Sequence, residues 1–591
     1  MASKHHHDPV TLENAGVAEM STVERLKQTS EGLFYVHSTH ESRHTMRSEI
    51  DALSARETET ITEHAKEIAK HFGIYKQRER NESGKKDGDF IFMVRVKNPA
   101  GGELTPAQWL ALDAAADRYA DGSLRLTARQ GVQFHYVRGH NLAPLIREIN
   151  ASLSDNGCQL STLGACGDVN RNTVASPIDD LDAELPLDSR ELAHAVARVM
   201  APRSLAYYQV FLADRSGQQV APLNSEEPIY GAQYLPRKFK VGFAHPHDNS
   251  VDLLTQDVGF LPRVDRNGRE VTGYDLYSGG GMGMTHNQAD TMPLLALYLG
   301  VVQRAQVLET VRAIATMQRE HGERRDRRAA RWKYTIRRLG VAAVKKTLRE
   351  RFGIALVDAE PVPLPPVRDH LGWHKEAGER DSDFLYAGIL IPNGRVRDEA
   401  RSKYRSAIRR IVAEVAGVGI RITPNQHVLL AHVPAARREW VERTLAEHHV
   451  PFDGDVAPIR RLAMACPAKP TCGLAMTHAE RALPRYLTEL EREGLSNVDV
   501  MIRMAGCPNS CSRPPTAEIG IIGYGKNDYV LMVGGARDGS RLARVLYPRL
   551  SEHELIEALK YLVRSIRDRN PRALSAGDYL DQTPDAELKS R

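Results

Sequence analysis

The sequence predicts an α+β fold built on an internal duplication, and three observations carry the prediction. DFIFMVRVKNPAGG at 89–102 recurs as DFLYAGILIPNGRV at 383–396, and SLRLTARQGVQFHYV at 123–137 recurs as GIRITPNQHVLLAHV at 419–433. A stretch of helical spacing follows each copy. Between the copies, EPVPLPPVRDHLGW at 360–373 places four prolines where a semi-rigid connector belongs. Self-similarity over this length marks two copies of one supersecondary unit.

Taken in order, residues 1–79 are polar and mixed in charge, and they read as a helical extension. His5, His6 and His7 within it read as a tail rather than a metal site. Residues 90–96 are apolar and β-rich, 105–119 have helical spacing, 123–137 alternate like a strand, and 141–153 are helical again. This β-α-β-α order suits a small α/β sandwich. The expected divisions are the extension at 1–79, a first half repeat at 80–152, a first lobe at 153–355, a proline-rich linker at 356–375, a second half repeat at 376–455 and a second lobe at 456–591.

The two copies differ in charge. Arg95 and Arg129 lie on the repeated strands of the first copy, where the second copy aligns Ile389 and Asn425. Arg125 is matched by Arg421, which suits a structural role in both. The first copy is therefore expected to keep an anion-binding task.

A chain of 591 residues exceeds what one hydrophobic core serves, and 42% apolar residues suffice for several packed domains. The longest apolar stretch, 292–302, is broken by Pro293 and Gly300 and is too short to cross a bilayer. The N-terminus has no apolar core for secretion and carries acidic residues that a transit peptide avoids. A cytoplasmic protein with no membrane partner is expected. A net charge of +5, from 80 basic and 75 acidic residues, is too balanced to call for nucleic acid. The densest basic run, 321–340, interleaves Trp332 and Tyr334 with its arginines, a pattern that also suits RNA. A solvated helix accounts for most of these charges, and no nucleic-acid partner is expected.

The six cysteines are clustered. Cys466 and Cys472 stand in ACPAKPTCG, and Cys507 and Cys511 in GCPNSCSRP. Clustered cysteines in a large cytoplasmic protein point to metal or redox chemistry. Zinc knuckles favour C-x2-C to C-x4-C pairs, and neither pair here is C-x2-C; iron–sulfur clusters accept more varied spacing. Prolines and glycine stiffen both loops and let backbone N–H groups approach the sulfurs. Cys158 and Cys166 read as core or loop thiols.

CPAKPTC followed by GCPNSC resembles the cluster signature of sirohaem-dependent sulfite and nitrite reductases. MVRV at 93–96, RLTARQGVQFH at 125–135, GDVNRN at 167–172, YLPRKFK at 234–240 and SGGGMGMTH at 278–286 resemble further motifs of that family, in its order. The likeness runs from about residue 70 to about 570. It implies two ferredoxin-like half repeats and two larger α/β lobes around a sirohaem and a 4Fe-4S cluster. It implies that Cys466, Cys472, Cys507 and Cys511 bind the cluster, with Cys511 bridging to the sirohaem iron. It places Arg95, Arg171, Lys238 and Lys240 around the substrate, and Arg129, Gln133 and His135 against the sirohaem. Buried carboxylates and an anionic substrate need such cationic partners. Lys240 in PRKFK favours sulfite, because the nitrite reductases resemble PRK-W-N there. No flavin or NADPH domain is visible, so a partner protein supplies electrons. STLGACGDVNRN, PHDNSVDLLTQDVG and QREHGERRDRR look closer to ferredoxin-dependent enzymes than to hemoproteins paired with a flavoprotein reductase subunit. The expected activity is thus assimilatory sulfite reduction, with assimilatory nitrite reduction or a non-catalytic iron–sulfur electron carrier as rivals.

Overall fold

The computed structural model describes residues 8–16, 19–27, 35–39, 42–79, 88–152, 160–203, 207, 210–211, 229–231, 233–265, 270–378, 383–570 and 574–589. His5, His6, His7 and Cys158 lie outside the described residues.

The first half repeat runs β1 (Ile74–Arg78), β2 (Phe90–Val96), α1 (Pro106–Tyr119), β3 (Leu124–Leu126), β4 (Val132–Val137) and α2 (Leu142–Ser152). Thr105 caps α1 by accepting the Gln108 N–H, while the Gln108 side chain accepts the Thr105 N–H. Two features correct the expected order. Residues 123–137 form a hairpin rather than one strand, because Thr127 N–H donates to the Gly131 carbonyl at 2.9 Å and Gln130 turns left-handed at φ 56°. A further strand, β1, lies inside the stretch read as an extension and pairs with β2. The unit is β-β-α-β-β-α.

The first lobe contains β5 (Val174–Ala175), α3 (Ser189–Val199), β6 (Val241–Phe243), β7 (Val258–Val264), β8 (Val271–Ser278), β9 (Leu297–Val302), α4 (Val307–His321), α5 (Trp332–Leu339) and α6 (Val341–Phe352). The second half repeat follows as β10 (Gly372–Lys375), β11 (Phe384–Ile389), β12 (Arg395–Val396), α7 (Tyr404–Glu414), β13 (Gly419–Ile422), β14 (Val428–Pro434) and α8 (Arg438–Glu447). The second lobe has β15 (Met464–Ala465), α9 (Leu483–Arg492), β16 (Ile502–Ala505), β17 (Ile519–Gly525), β18 (Asp528–Val533), β19 (Arg544–Ser551) and α10 (Glu552–Arg569).

The half repeats match in fine detail. Left-handed residues recur in place: Ala100 and Asn393, Gln130 and Gln426, Tyr136 and His432. The copies also exchange edges. β12 of the second pairs with β3 of the first, and Leu104 of the first pairs with Ile420 of the second. This covers sheet edges that would otherwise be open, and one apolar core spans both copies.

The register corrects one aligned pair. Arg95 faces Gln133 on β4, and Gly388 faces Leu429 on β14, while Gln133 and Leu429 occupy the same place. Gly388, not Ile389, therefore stands where Arg95 does. Matching the Asp-Phe pairs at the strand starts sets the strings one residue out of step, and a one-residue slip exchanges the faces of a sheet.

The duplication extends to the lobes. In each, two short parallel pairings lead into two antiparallel ones: β5-β6-β7-β8-β9 and β15-β16-β17-β18-β19. The proline-rich segment is fastened to the first lobe. Val362 N–H donates to the Asp275 carboxylate at 2.8 Å, and the Pro366 carbonyl accepts from Asn249 N–H at 3.1 Å.

The basic run at 321–340 is not a solvated helix. Helix α5 begins only at Trp332, and Arg324, Arg331 and Lys333 are buried. Arg324 and Arg327 both pair with the buried Glu24 of the N-terminal segment, and Arg327 also reaches Asp168 at 3.0 Å. Among the described residues no helix is long and apolar enough to cross a membrane.

Candidate redox-cofactor site

The four signature cysteines lie on two loops leaving the C-terminal ends of adjacent parallel strands. Cys466 directly follows β15, and Cys507 and Cys511 follow β16. Ala468 and Ser510 turn these loops back in left-handed conformations, each at φ 52°. The Gly506 N–H donates to Cys466 Sγ at 3.3 Å, and the Asn509 backbone does the same for Cys507. Burial holds the Cys466 thiol well above its usual range and pushes Cys507 up to about 12, and in both the charge of Cys511 adds to the rise, with Cys472 behind it. Cys466 and Cys507, close enough to Cys511 and Cys472 to feel their charges, thus resist ionising unless metal takes the place of their protons. None of the five described cysteines is joined in a disulfide. A single zinc ion, with Zn–S near 2.3 Å, holds thiolates about 3.8 Å apart. Among the described residues no three of these sulfurs gather within 4.8 Å of one another. A cube with one iron per thiolate spreads its cysteines more widely, so the set fits an iron–sulfur cluster better than one ion.

Facing these loops is a wall of cations, drawn from β2, the turn after β3, and the segments entering β5 and β6. Lys238 and Lys240 flank the buried Phe239, which runs beside Asn170, so both ammonium groups lie on the side away from the core. Both lie well below the usual lysine range, because burial disfavours their charge and Arg331 repels it. Lys240 Nζ donates to the Thr255 carbonyl at 3.2 Å. Arg129 is lowered to about 9 by burial and then by Arg171; it donates to Gln256 at 2.8 Å, and its Nε has no partner among the described residues. Arg171 Nε donates to the Gly167 carbonyl at 2.8 Å. The nearby carboxylates are already committed: Asp257 to Arg331 at 3.0 Å, and Asp168 to Arg327. Cations that depress one another's protonation make a receptor for several anionic groups at once.

Cys511 joins the two halves, since its charge acts on both Lys238 and Arg95. The glycine-rich loop closes the third side. Met284 N–H donates to the Pro508 carbonyl at 2.9 Å, and a side chain at Gly283 would meet the Asn509 carbonyl at 3.3 Å. Lys333 Nζ holds that loop through the Gly281 and Gly283 carbonyls at 3.1 and 2.9 Å. The residues present therefore fit an iron–sulfur cluster beside a polycarboxylate cofactor.

Arg95, Gln133 and His135 form a file on the sheet. Arg95 donates to Cys166 Sγ at 3.1 Å and lies over the Tyr75 ring. With its amide oxygen toward Arg95, Gln133 accepts the Arg95 Nε–H at 3.0 Å and donates to His135 Nε2 at 3.3 Å. His135 is 2% exposed, and Arg395 lies 3.1 Å from its other ring nitrogen. Burial and Arg395 keep the ring neutral. His135 thus reaches the cation wall through Gln133.

Arg331, Asp257, Lys333, Arg395 and Glu480 escaped the reading of the sequence. Arg331 and Lys333 were visible as part of the basic run. Glu480 carried no signal, although it binds Arg395 and Arg125 together, with Arg125 at 3.1 Å. Arg125 and Arg421 are both buried with acidic partners, as the matched pair suggested.

The nitrite and sulphite reductase 4Fe-4S domain matches residues 166–356, and the ferredoxin-like half domain of nitrite and sulfite reductases matches 83–152 and 377–448. The hemoprotein beta-component of an NADPH sulfite reductase from Staphylococcus saprophyticus is 35% identical, covering 90% of this chain and 92% of the relative. A ferredoxin sulfite reductase from Synechococcus elongatus is 37% identical, covering 87% and 84%. The solved NirA protein of Mycobacterium tuberculosis has the same fold, with a TM-score of 0.74 at 22% identity over 92% of this chain and 95% of that one. The duplicated half domains, the lobes and these relatives agree: the chain belongs to the nitrite and sulphite reductase family.

Proposed function

We propose that the protein is an assimilatory sulfite reductase, reducing sulfite to sulfide by six electrons. Cys466, Cys472, Cys507 and Cys511 hold a 4Fe-4S cluster, and Cys511 also serves a sirohaem. Bound there, the two cofactors supply the electrons singly. Arg129 and Gln133 meet sirohaem carboxylates, and His135 fixes Gln133 from behind. Arg95, Arg171, Lys238 and Lys240 bind the sulfite oxygens. The lowered lysines suit proton donation from Nζ as oxygen leaves as water, because a buried ammonium releases its proton readily.

The observation that carries sulfite over nitrite is the second ammonium, Lys240, beside Lys238 in an already crowded cation wall. A dianion gains more from it than a monoanion. Reduction of both substrates by the purified protein with one artificial donor tests this: a higher kcat/KM for sulfite supports it, and a higher value for nitrite overturns it.

Electrons come from a partner protein. The motifs quoted above favour ferredoxin, and relatives carry both ferredoxin and NADPH names. Turnover with reduced ferredoxin alone supports this; activity only with NADPH and a flavoprotein reductase overturns it.

A further inference from the structure

The first lobe carries its own cluster of ligand-bearing side chains, remote from the chemistry above. Gly242 of β6 pairs with Val174 and Gly259, just as Arg503 of β16 pairs with Met464 and Gly520. This equivalence sets Ser176 in the place of Cys466 and the loop at 245–248 in the place of the loop that bears Cys507. The cysteines have no counterpart there; the loop reads His-Pro-His-Asp. We infer that Asp182, His245 and His247 form a divalent-cation site of the borderline class that zinc represents.

One ligand atom from each of these three residues lies within 4.8 Å of the others. Asp182 is fixed: one carboxylate oxygen accepts the Glu184 and Leu185 N–H groups at 2.9 and 3.1 Å. The other oxygen faces His247 Nδ1 at 3.0 Å. His245 is fixed too, its Nε2–H donating to the Leu185 carbonyl at 2.9 Å. That is the outer hydrogen bond a metal-bound histidine usually makes, and it leaves Nδ1 as the ligating atom. Metal entry replaces two hydrogen bonds, from His247 N–H to His245 Nδ1 and from His247 to Asp182. Two imidazoles and one carboxylate suit zinc or its neighbours and leave a position for water on the open side of His247.

The site is separate from the catalytic pocket. Lys240 enters β6 at one end and His245 leaves it at the other, about 16 Å apart along extended chain. It also lies on a seam: Asp182 bridges to Glu376, and Ala377 N–H donates to the Leu181 carbonyl at 3.0 Å. A bound cation clasps the loops of the first lobe beside the second half repeat.

The test uses holoenzyme, so that the cluster cysteines are occupied, in a background with His5, His6 and His7 replaced by alanine. Zinc is added, excess is removed by gel filtration, and metal per chain is measured for the parent, His247→Ala and Asp182→Asn. The expected result is one retained zinc per chain in the parent and at least a tenfold weaker zinc affinity in each variant. Zinc should raise the unfolding temperature of the parent alone, and sulfite turnover should be unchanged in all three. No zinc retained by the parent, or equal retention by either variant, overturns the assignment. Asp182→Asn keeps the test decisive should His247→Ala fold poorly.

Discussion

Lys240→Asn removes one of the two ammonium groups of the proposed sulfite site while leaving Lys238 in place. At about 4 Å and an effective dielectric near 20, a unit charge pair is worth roughly 4 kcal/mol. Desolvation reduces this to the 1.5–3 kcal/mol or so of one charge-assisted hydrogen bond. The Arg331 and Arg129 charges beside Lys240 already work against its ammonium, which argues for the lower half of that range. Nitrite carries one charge where sulfite carries up to two, so its loss is about half, and over that lower half the two losses differ by about 0.75–1.1 kcal/mol. That is roughly a 4- to 7-fold fall in the ratio of kcat/KM for sulfite to kcat/KM for nitrite. Both constants are measured with one artificial electron donor, so that partner docking cancels. A ratio that stays constant while both activities fall refutes the reasoning, and assigns Lys240 to the cofactor or the fold.

Arg129→Ala should lower the sirohaem retained per chain after gel filtration, whereas Asn425→Ala, at the equivalent place, should retain it; equal losses would remove the asymmetry claimed between the copies. Glu24→Gln leaves the fully buried Arg324 without its counter-charge, and should cost about 3–5 kcal/mol of stability. An unfolding temperature equal to wild type would show that the N-terminal segment does not clamp the basic run. Burial, with Asp180 adding repulsion, pushes the Asp179 carboxyl up from 3.8 to about 7. The fold favours its protonated form, so the associated stability is full below pH 3.8 and is lost as pH rises through about 7. Asp179→Asn stays neutral and should exceed wild type by about 2–4 kcal/mol above that range. The gap in unfolding temperature should widen from about pH 4 to about pH 7 and stay level above, and parallel curves would refute the shift.

The sequence was most legible where chemistry demands several unusual residues together. Two proline-flanked cysteine pairs mark the loops after β15 and β16, and PRKFK marks the alternation of Lys238 and Lys240 around Phe239. The half repeats were visible because both copies keep their strand patterning. Their exact register was not, since an apolar strand looks alike one residue out of step; Arg95 was matched to Ile389 rather than Gly388. The hairpin at 123–137 looks like one strand in the sequence, because the left-handed turn at Gln130 leaves the apolar pattern unbroken. The duplication of the lobes was hidden, for the loops that repeat in place hold cysteines in one and histidines in the other. Glu480 and Arg395 could not be found by spacing, because Glu480 reaches from the second lobe to the exchanged edge where Arg395 pairs with Arg125. The basic run misled for a different reason: charge density along a chain does not reveal that Glu24, some 300 residues away, neutralises it.

The central claim is that one sulfur, Cys511, serves both the cluster and the sirohaem. It is tested by the absorption spectrum of the purified protein, with iron, acid-labile sulfide and sirohaem assayed per chain, in wild type and in Cys511→Ser. Wild type should contain sirohaem and one more iron than acid-labile sulfide per chain, the extra iron being that of the sirohaem, and Cys511→Ser should lose both the cluster and the normal haem spectrum. A full complement of iron and sulfide with an unchanged haem spectrum in Cys511→Ser would contradict the account.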